Sequence, residues 1–369
     1  MAEDRIRDRF DAPARYFLSH SVGCLPKATA AALGADYLES WRNGASWSDW
    51  MPQLDGFRKG LGRLLGVDAA TICPQTNVSS ALTKIVHALP FDAARPEIVL
   101  SRQDFPTIGF VLKQAERVGY RMRFVEGDPT DPARWQEMIG DKTAIVHVTH
   151  ALSNTSGLLP VEEICALARQ SGATSIVDIA QSLIAVPTAV TDWRADFVIG
   201  TGVKFLCAGP GACFLHVRQD RMSDMRPLDV GWFSHENPFE MDIADFRYAD
   251  DAMRFFGGTP SPAPLICANA AMAEWDTLDL TDLQTGIQDR LDRLSAAVPE
   301  EWHVSPTDRD QRGATFVMDP PNRDGLIERL DKAAIRHDVR NEGFRFSLHG
   351  YTPAADVEAL ADTLRDHAG

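Results

Sequence analysis

TSIVDIAQS (174–182) and, shortly after it, DFVIGTGVKFLCAGPGACFL (196–215) govern the architecture of this 369-residue chain. TSIVDIA and DFVIGT are short, nearly continuous apolar and β-branched runs, the pattern of strands covered on both faces. On the N-terminal side, ATIC (70–73), EIVLS (97–101), RMRFVE (121–126) and TAIVHVTH (143–150) read the same way. Between them lie the helical stretches SSALTKIVHAL (79–89), IGFVLKQAERVG (108–119) and VEEICALARQSG (161–172). The last ends on Ser-Gly, a helix stop. Strand–helix alternation of this kind predicts an α/β domain on a mostly parallel sheet with helices on both faces. Such sheets place ligands outside the carboxyl ends of their strands, so chemistry is expected in the turns that follow them.

After Arg226 the texture changes. RPLDVGWFSHENPFEMD (226–242) reads as an irregular loop rich in Trp, Phe and Pro, and GGTPSPAPL (257–265) is dense in turn formers. ICANAAMAEWDTL (266–278) and LQTGIQDRLDRLSAAV (283–298) carry helical periodicity. Two short strand candidates follow, ATFVMD (314–319) and FRFSLH (344–349), and then the helix AADVEALADTLRDHA (354–368). The expected division is an N-terminal arm over 1–18, a large α/β domain over 19–270 and a small α+β domain over 271–369.

Composition narrows the function. Lys plus Arg number 37 against 52 Asp plus Glu, a net charge of −15, which argues against a nucleic-acid platform. The 44% apolar fraction builds a core, yet no apolar run approaches the roughly 20 residues that span a bilayer. The opening MAEDRIRDRFDAPARYF is charged throughout. A soluble, cytoplasmic protein without membrane or nucleic-acid partner is expected. Six scattered cysteines with no CxxC, and ten histidines with no HExxH, predict neither a disulfide framework nor a metal site.

Lys204 stands out by its surroundings, just after a buried strand and just before a Gly-Pro-Gly turn. Apolar flanks desolvate an ammonium and lower its pKa, as an imine-forming lysine requires. A snorkelling lysine beside a loop is the plainer reading of that residue alone. Asp178, 26 residues earlier, ends a strand at the edge where ligands bind. A carboxylate there is suited to pair with a pyridinium nitrogen, although a strand-end Asp also caps helices. With the polar Gln181 on the following turn, the three form a more specific set.

VDIAQS followed by GTGVKFLCAGPG resembles the aspartate and lysine segments of the class V aminotransferases, a fold type I family dependent on pyridoxal 5'-phosphate. VTHALSNTSGLLPVEEI (148–164) is similar to the family's preceding strand and asparagine turn, and FRFSLHGYTPAADVEAL (344–360) to its C-terminal arginine strand, tyrosine turn and helix. These motifs run in family order over roughly residues 15–365. HSVGCLP (20–26), DFPTIGF (104–110), GWFSHENPFEM (231–241) and RFFGGTPSPAPL (254–265) resemble segments of the kynureninase branch. His20 stands where that branch has Asn, Ile108 where it has Asp, and Val203 where it has Tyr. The last two departures remove an acidic group near the cofactor and a hydroxyl donor to its phosphate.

The resemblance implies a role for each matching residue. Lys204 would form the internal Schiff base and move the α-proton. Asp178 would bind the pyridine nitrogen, Phe105 would stack on the ring, and Asn154 and Gln181 would lie near its phenolic oxygen. Thr76 and Asn77, opening a helix, would meet the phosphate with Thr201. Gly258 and Thr259 resemble the turn that reaches the phosphate across a homodimer interface, with Trp232 and His235 in the same neighbourhood. Arg345 would grip the substrate α-carboxylate, and its two Phe neighbours suggest a half-buried setting. His20 and Ser21 would lie on the substrate side. The implied protein is a homodimer with shared active sites that acts on an amino acid. The outcome after proton abstraction stays open among hydrolytic C–C cleavage, transamination, lyase and epimerase chemistry. A non-catalytic scaffold is the reading of another class. A desulfurase is disfavoured because no Cys follows Cys267, and a dinucleotide site because no GxGxxG joins the first strand to its helix.

Overall fold

The computed structural model describes residues 6–369, so the first five residues of the expected N-terminal arm lie outside the described residues. Seven strands form the central sheet: β1 (Ile72–Gln75), β2 (Glu97–Ser101), β3 (Arg121–Val125), β4 (Thr143–Thr149), β5 (Thr174–Asp178), β6 (Phe197–Thr201) and β7 (Cys213–Val217). Their spatial order is β1-β7-β6-β5-β4-β2-β3. The run from β6 to β3 is parallel throughout. β7 is antiparallel to both of its neighbours.

β7 is the strand that sequence reading passed over, because CFLHV directly follows the glycine turn and looks like the apolar tail of a loop. Its reversal has a local cause. The segment from Thr201 to Cys213 contains no helix to carry the chain across the sheet, and Gly209 and Gly211, at φ of 72° and 92°, fold it straight back. Every residue of β5, β6 and β7 is buried, which is why these strands read as continuous apolar runs.

The helices joining the strands include α2 (Val78–Ala88), α3 (Pro106–Ala115), α4 (Pro132–Met138) and α5 (Val161–Ser171). α5 ends at Gly172, whose left-handed φ of 73° is the C-cap conformation its Ser-Gly ending implied. α1 (Trp47–Leu65) went unread because Trp, Gly and an internal Pro52 blur its periodicity. It packs on α6 (Pro262–Trp275). Gly56 and Gly60, one turn apart on α1, permit that approach. A Cβ on either would come within 2.9 Å of Asn269 or 2.7 Å of Met272.

Residue 270 falls inside α6, and the chain passes through 276–279 into α7 (Leu280–Ser295). Beyond it β8 (Thr315–Met318), β9 (Asp338–Arg340) and β10 (Gly343–Ser347) make an antiparallel sheet with β10 in the middle. α8 (Arg323–Lys332) and α9 (Ala354–Ala368) complete this part. The segment before α1 joins the two sheets. Phe17 packs edge-on against Phe346, the Phe17 carbonyl accepts from Ser347 N at 2.9 Å, and Gly23 N donates to the Val203 carbonyl at 2.8 Å. Among the described residues no helix is long and apolar enough to cross a membrane.

Candidate active site

Strand register assembles the floor of the site. Thr149 at the end of β4 lies beside Asp178 at the end of β5, and Asp178 beside Ile199 on β6. A cavity of about 210 Å³ opens above them, lined by Asn77, Phe105, Thr149, Asp178, Gln181 and Lys204 among others. Six residues that the sequence scatters over more than a hundred positions thus meet at the carboxyl edge of the sheet.

Asp178 is buried, and Oδ1 accepts the Ala180 N–H at 2.8 Å. Burial pushes its carboxyl above the ordinary value, against the pull of His147, the Ala180 N–H and Lys204. Lys204 shows the mirror image. Burial lowers its ammonium, while Asp178 acts to raise it and Arg345 to lower it further. Its Nζ lies 5.5 Å from the centroid of the Phe105 ring. A desolvated lysine holds more of its amine neutral, the form that attacks a carbonyl.

Asn77 is the N-cap of α2, its Oδ1 accepting from Ser80 N at 2.8 Å, and Thr76 directs its hydroxyl to Ser80 Oγ at 3.3 Å. On the other side of this helix start a second cavity, about 250 Å³, is lined by Thr76, Ser80, Lys84, Gly258 and Thr259. Lys84 donates to the carbonyls of Phe255 and Phe256 at 2.8 and 2.6 Å, pinning the glycine turn. Trp232 Nε1 donates to Thr259 Oγ1 at 3.2 Å. An eleven-residue helix opening onto hydroxyls suits an anion. His235 holds its own loop, with Nε2 against the Asp245 carbonyl at 2.8 Å and Nδ1 accepting from Asn237 N at 2.9 Å.

The Arg345 corner is built differently. Sequence reading expected a half-buried arginine, whereas β10 sits mid-sheet and leaves Arg345 only 1% exposed. Nε donates to Asp338 Oδ2 at 2.9 Å, Nη2 meets the same carboxylate, and Nη1 donates to the Ser153 carbonyl at 2.7 Å. Two of the five guanidinium N–H donors remain. His20 Nε2 also reaches Asp338, at 3.3 Å, while its Nδ1 lies 2.9 Å from Ser347 Oγ. The His20 contact, then Arg345, hold the Asp338 carboxyl well below the usual carboxylate range, against burial. Burial lowers His20 to about 4, so its ring is a neutral donor.

Other expected residues fall into two groups. Thr201 lines the cavity, and Gln181 does so while donating Nε2 to the His20 carbonyl at 3.2 Å; its buried Oε1 has no partner. Asn154 is not on the cavity wall; it donates to Glu342 at 3.1 Å, and its neighbour Ser153 lines the wall instead. Ser21 is exposed on a turn. Ile108 is buried on the wall, so that face is apolar where the kynureninase pattern carries an acid. Sequence reading did not single out Asp104, His147, Asp338 or Arg340. The alternation in HVTH, which puts residues 147 and 149 on one face, was the available signal for His147.

These residues fit pyridoxal phosphate. A buried carboxylate with a single N–H donor, an unpartnered amide oxygen, a 38% exposed Phe105 ring and a helix start complement its ring nitrogen, ring substituents, ring face and phosphate respectively. Among the described residues no three His, Cys, Asp or Glu side chains group closely enough to hold a metal.

Comparison with known proteins agrees. The family described as aminotransferase class V matches residues 42–360. A kynureninase of Deinococcus radiodurans is 28% identical over 368 residues, covering 94% of this chain and 88% of that protein. A kynureninase of Pseudomonas fluorescens is 27% identical over 369 residues, covering 94% and 87%. Among solved structures, a cysteine desulfurase from Thermococcus onnurineus superposes with a TM-score of 0.87 at 20% identity, covering 99% of this chain and 98% of that one. A variant of the cystine C–S lyase C-DES, with glycine covalently linked to its pyridoxal-phosphate cofactor, gives 0.85 at 23% identity, covering 98% and 99%. These two likenesses establish the shared fold.

Proposed function

The chain belongs to the class V aminotransferase family of pyridoxal-phosphate-dependent enzymes, and from that premise we propose that it cleaves the Cβ–Cγ bond of a kynurenine-like amino acid. The observation that carries the reading is the meeting of Lys204 and Asp178 in one cavity beneath Phe105. The near full-length similarity to kynureninases supports this substrate class.

When bound, pyridoxal phosphate supplies an electron sink for the bond-breaking step. In this reading Lys204 would hold the cofactor's aldehyde, and its Nζ, once free, would take the substrate's α-proton. Asp178, in its ionised form, would pair with the ring nitrogen and favour its protonated state. Phe105 covers one ring face and Gln181 offers its free Oε1 to the ring's polar edge. Thr76, Asn77, Thr201 and the first amides of α2 receive the phosphate. Arg345, oriented by Asp338, offers its two remaining N–H groups to the substrate α-carboxylate. Its bound Asp338 leaves little net charge there, so the contact selects by shape as much as by attraction.

Leu228, Phe239, Met241 and Phe246 on the loop around Trp232 are exposed apolar side chains, and this patch, which a second copy would cover, supports the homodimer reading. Gly258 and Thr259 would then face the partner's phosphate. Six unpaired cysteines, five of them buried, suit a reducing compartment, and the cytoplasm is the proposed location. A second reading, transamination of another amino acid, is favoured by the apolar Ile108 and by Val203 in place of a hydroxyl donor.

The test is the visible spectrum of the protein with pyridoxal phosphate, titrated with L-kynurenine, 3-hydroxykynurenine and ordinary amino acids. A band that shifts with a kynurenine, accompanied by release of the anthranilate product, supports cleavage. A shift confined to other amino acids with keto-acid formation supports the second reading. No lysine-bound cofactor band in wild type, or the same band and turnover in Lys204→Ala, would reject the site.

A further inference from the structure

Lys84 is a buried lysine that the proposed reaction leaves without a role. It sits about two turns along α2 from the Asn77 N-cap, on the face that carries Ser80 one turn earlier. Its side chain is 8% exposed, and all three Nζ donors are engaged. They meet the Phe255 and Phe256 carbonyls at 2.8 and 2.6 Å and Asp229 Oδ2 at 3.3 Å. The lysine thus reaches across 171 positions of chain to hold the segment that leads into the glycine turn. Gln75 Nε2, at the end of β1, adds a second donor to the Phe255 carbonyl at 3.1 Å. Gly257 follows at a φ of 99°, its N–H donating to Ser234 Oγ at 2.8 Å and its carbonyl accepting from Phe233 N at 3.1 Å. A Cβ on Gly257 would come within 3.3 Å of Lys84 Nζ, so the lysine and the glycine are fitted to each other.

The two residues beyond this clamp face outward. Gly258 and Thr259 are exposed, and a Cβ on Gly258 would meet nothing within 4 Å. Trp232 Nε1 donates to Thr259 Oγ1, which leaves the hydroxyl's own proton to donate elsewhere. Lys84 has no donor left for a phosphate, so it can act on one only through the turn it holds. We propose that Lys84 is a positioning residue that joins the two active sites of a homodimer. From the helix whose start receives one subunit's phosphate, it holds the Gly258–Thr259 turn in place for the partner's. The assignment rests on the homodimer reading and on the phosphate reading of the α2 start. Without the ammonium, the Phe256 carbonyl loses that donor while the Phe255 carbonyl keeps Gln75. The turn then loses an anchor at its entry, whereas the start of α2 keeps its own Asn77 cap. The defect therefore falls on the partner's site rather than on the site at the altered chain's own helix.

The test uses mixed dimers, purified through a different affinity tag on each chain. In the first, Lys84→Met and Lys204→Ala share one chain and the partner is wild type. Its single lysine-bearing site has an unaltered α2 and takes its turn from the altered chain. In the second, the two substitutions lie on opposite chains. Its lysine-bearing site then sits on the altered helix and takes its turn from the chain that keeps Lys84. Pyridoxal phosphate is titrated into each, and the lysine-bound cofactor band gives the affinity. The first dimer is expected to bind about tenfold more weakly than a control dimer of wild type with Lys204→Ala, the scale of one lost hydrogen bond. The second should match that control. Lys84→Arg in place of Met keeps the donors and should restore much of the affinity. Lys84→Gln keeps one amide group and serves if the Met chain does not fold; its smaller loss should again fall on the first dimer alone. Equal affinity in the two dimers, or a loss confined to the second, would overturn the proposal. A wild-type protein that sediments as a monomer would instead reject the dimer reading beneath it, and one that binds no pyridoxal phosphate would reject the phosphate reading.

Discussion

The cavity floor and the Arg345 corner both bury a charge, but they neutralise it differently. At the floor, Asp178 faces the cavity with one backbone N–H on its carboxylate, and burial raises its pKa. At the corner, Arg345 carries its own carboxylate, Asp338, along with the Ser153 carbonyl. A buried charge left short of partners is a place where a ligand can supply the missing one. A buried charge already satisfied is an oriented tool whose direction is set before any ligand arrives.

The contrast breaks first at Asp178. Asp178→Asn should weaken pyridoxal-phosphate binding on the order of a hundredfold, since removing one partner of a buried charge pair costs about 3 kcal/mol. The protein without cofactor should move the other way and gain stability at neutral pH. The folded-state pKa of Asp178 is raised, so its favourable contribution is complete below the unfolded value near ~4 and is lost as pH rises through the folded value. The gain from Asn should therefore disappear in acid. Cofactor titration and urea unfolding of the cofactor-free protein check the two halves. An Asn variant less stable than wild type at neutral pH would mean the floor is already compensated.

Asp338→Ala should give the opposite stability result, a loss of about 3 kcal/mol at neutral pH, because it strands a buried guanidinium. Here the folded pKa is depressed. The contribution is present above the unfolded carboxylate value and is lost as pH falls through the lower folded one. Urea unfolding should show the gap between variant and wild type narrowing below about pH 4. A gap that does not change with pH would assign Asp338 a packing role only.

The smallest effect is expected at Asn154, whose amide meets Glu342 and lies off the cavity wall. Asn154→Ala should change stability by less than ~0.5 kcal/mol and leave cofactor affinity unchanged. A large loss of affinity would show that the loop rearranges around the bound cofactor.

Much of this was legible in the chain because its signals are local. Strand β2 coincides with EIVLS and α9 with AADVEALADTLRDHA, since apolar alternation and helical period are set within a few residues. Lys204 and Asp178 were visible because each ends or follows an apolar run. β7 was not, because its identity depends on inserting between β1 and β6, which pairs Cys213 with both Thr201 and Gln75. Nor was α1, whose glycines make sense only against Asn269 and Met272.

Residue type and spacing along the chain sufficed for the α/β architecture and singled out Lys204 and Asp178, because strand pattern and local polarity are short-range properties. Which charge neutralises which was settled by folding. His20 meets Asp338 across 318 positions, Asp104 meets His147 across 43, and Asn154 turns to Glu342 across 188. Burial and Coulomb interaction depend on distance in space rather than along the chain. The chain could therefore offer its charged groups, while the packed sheet edge assigned each one its partner.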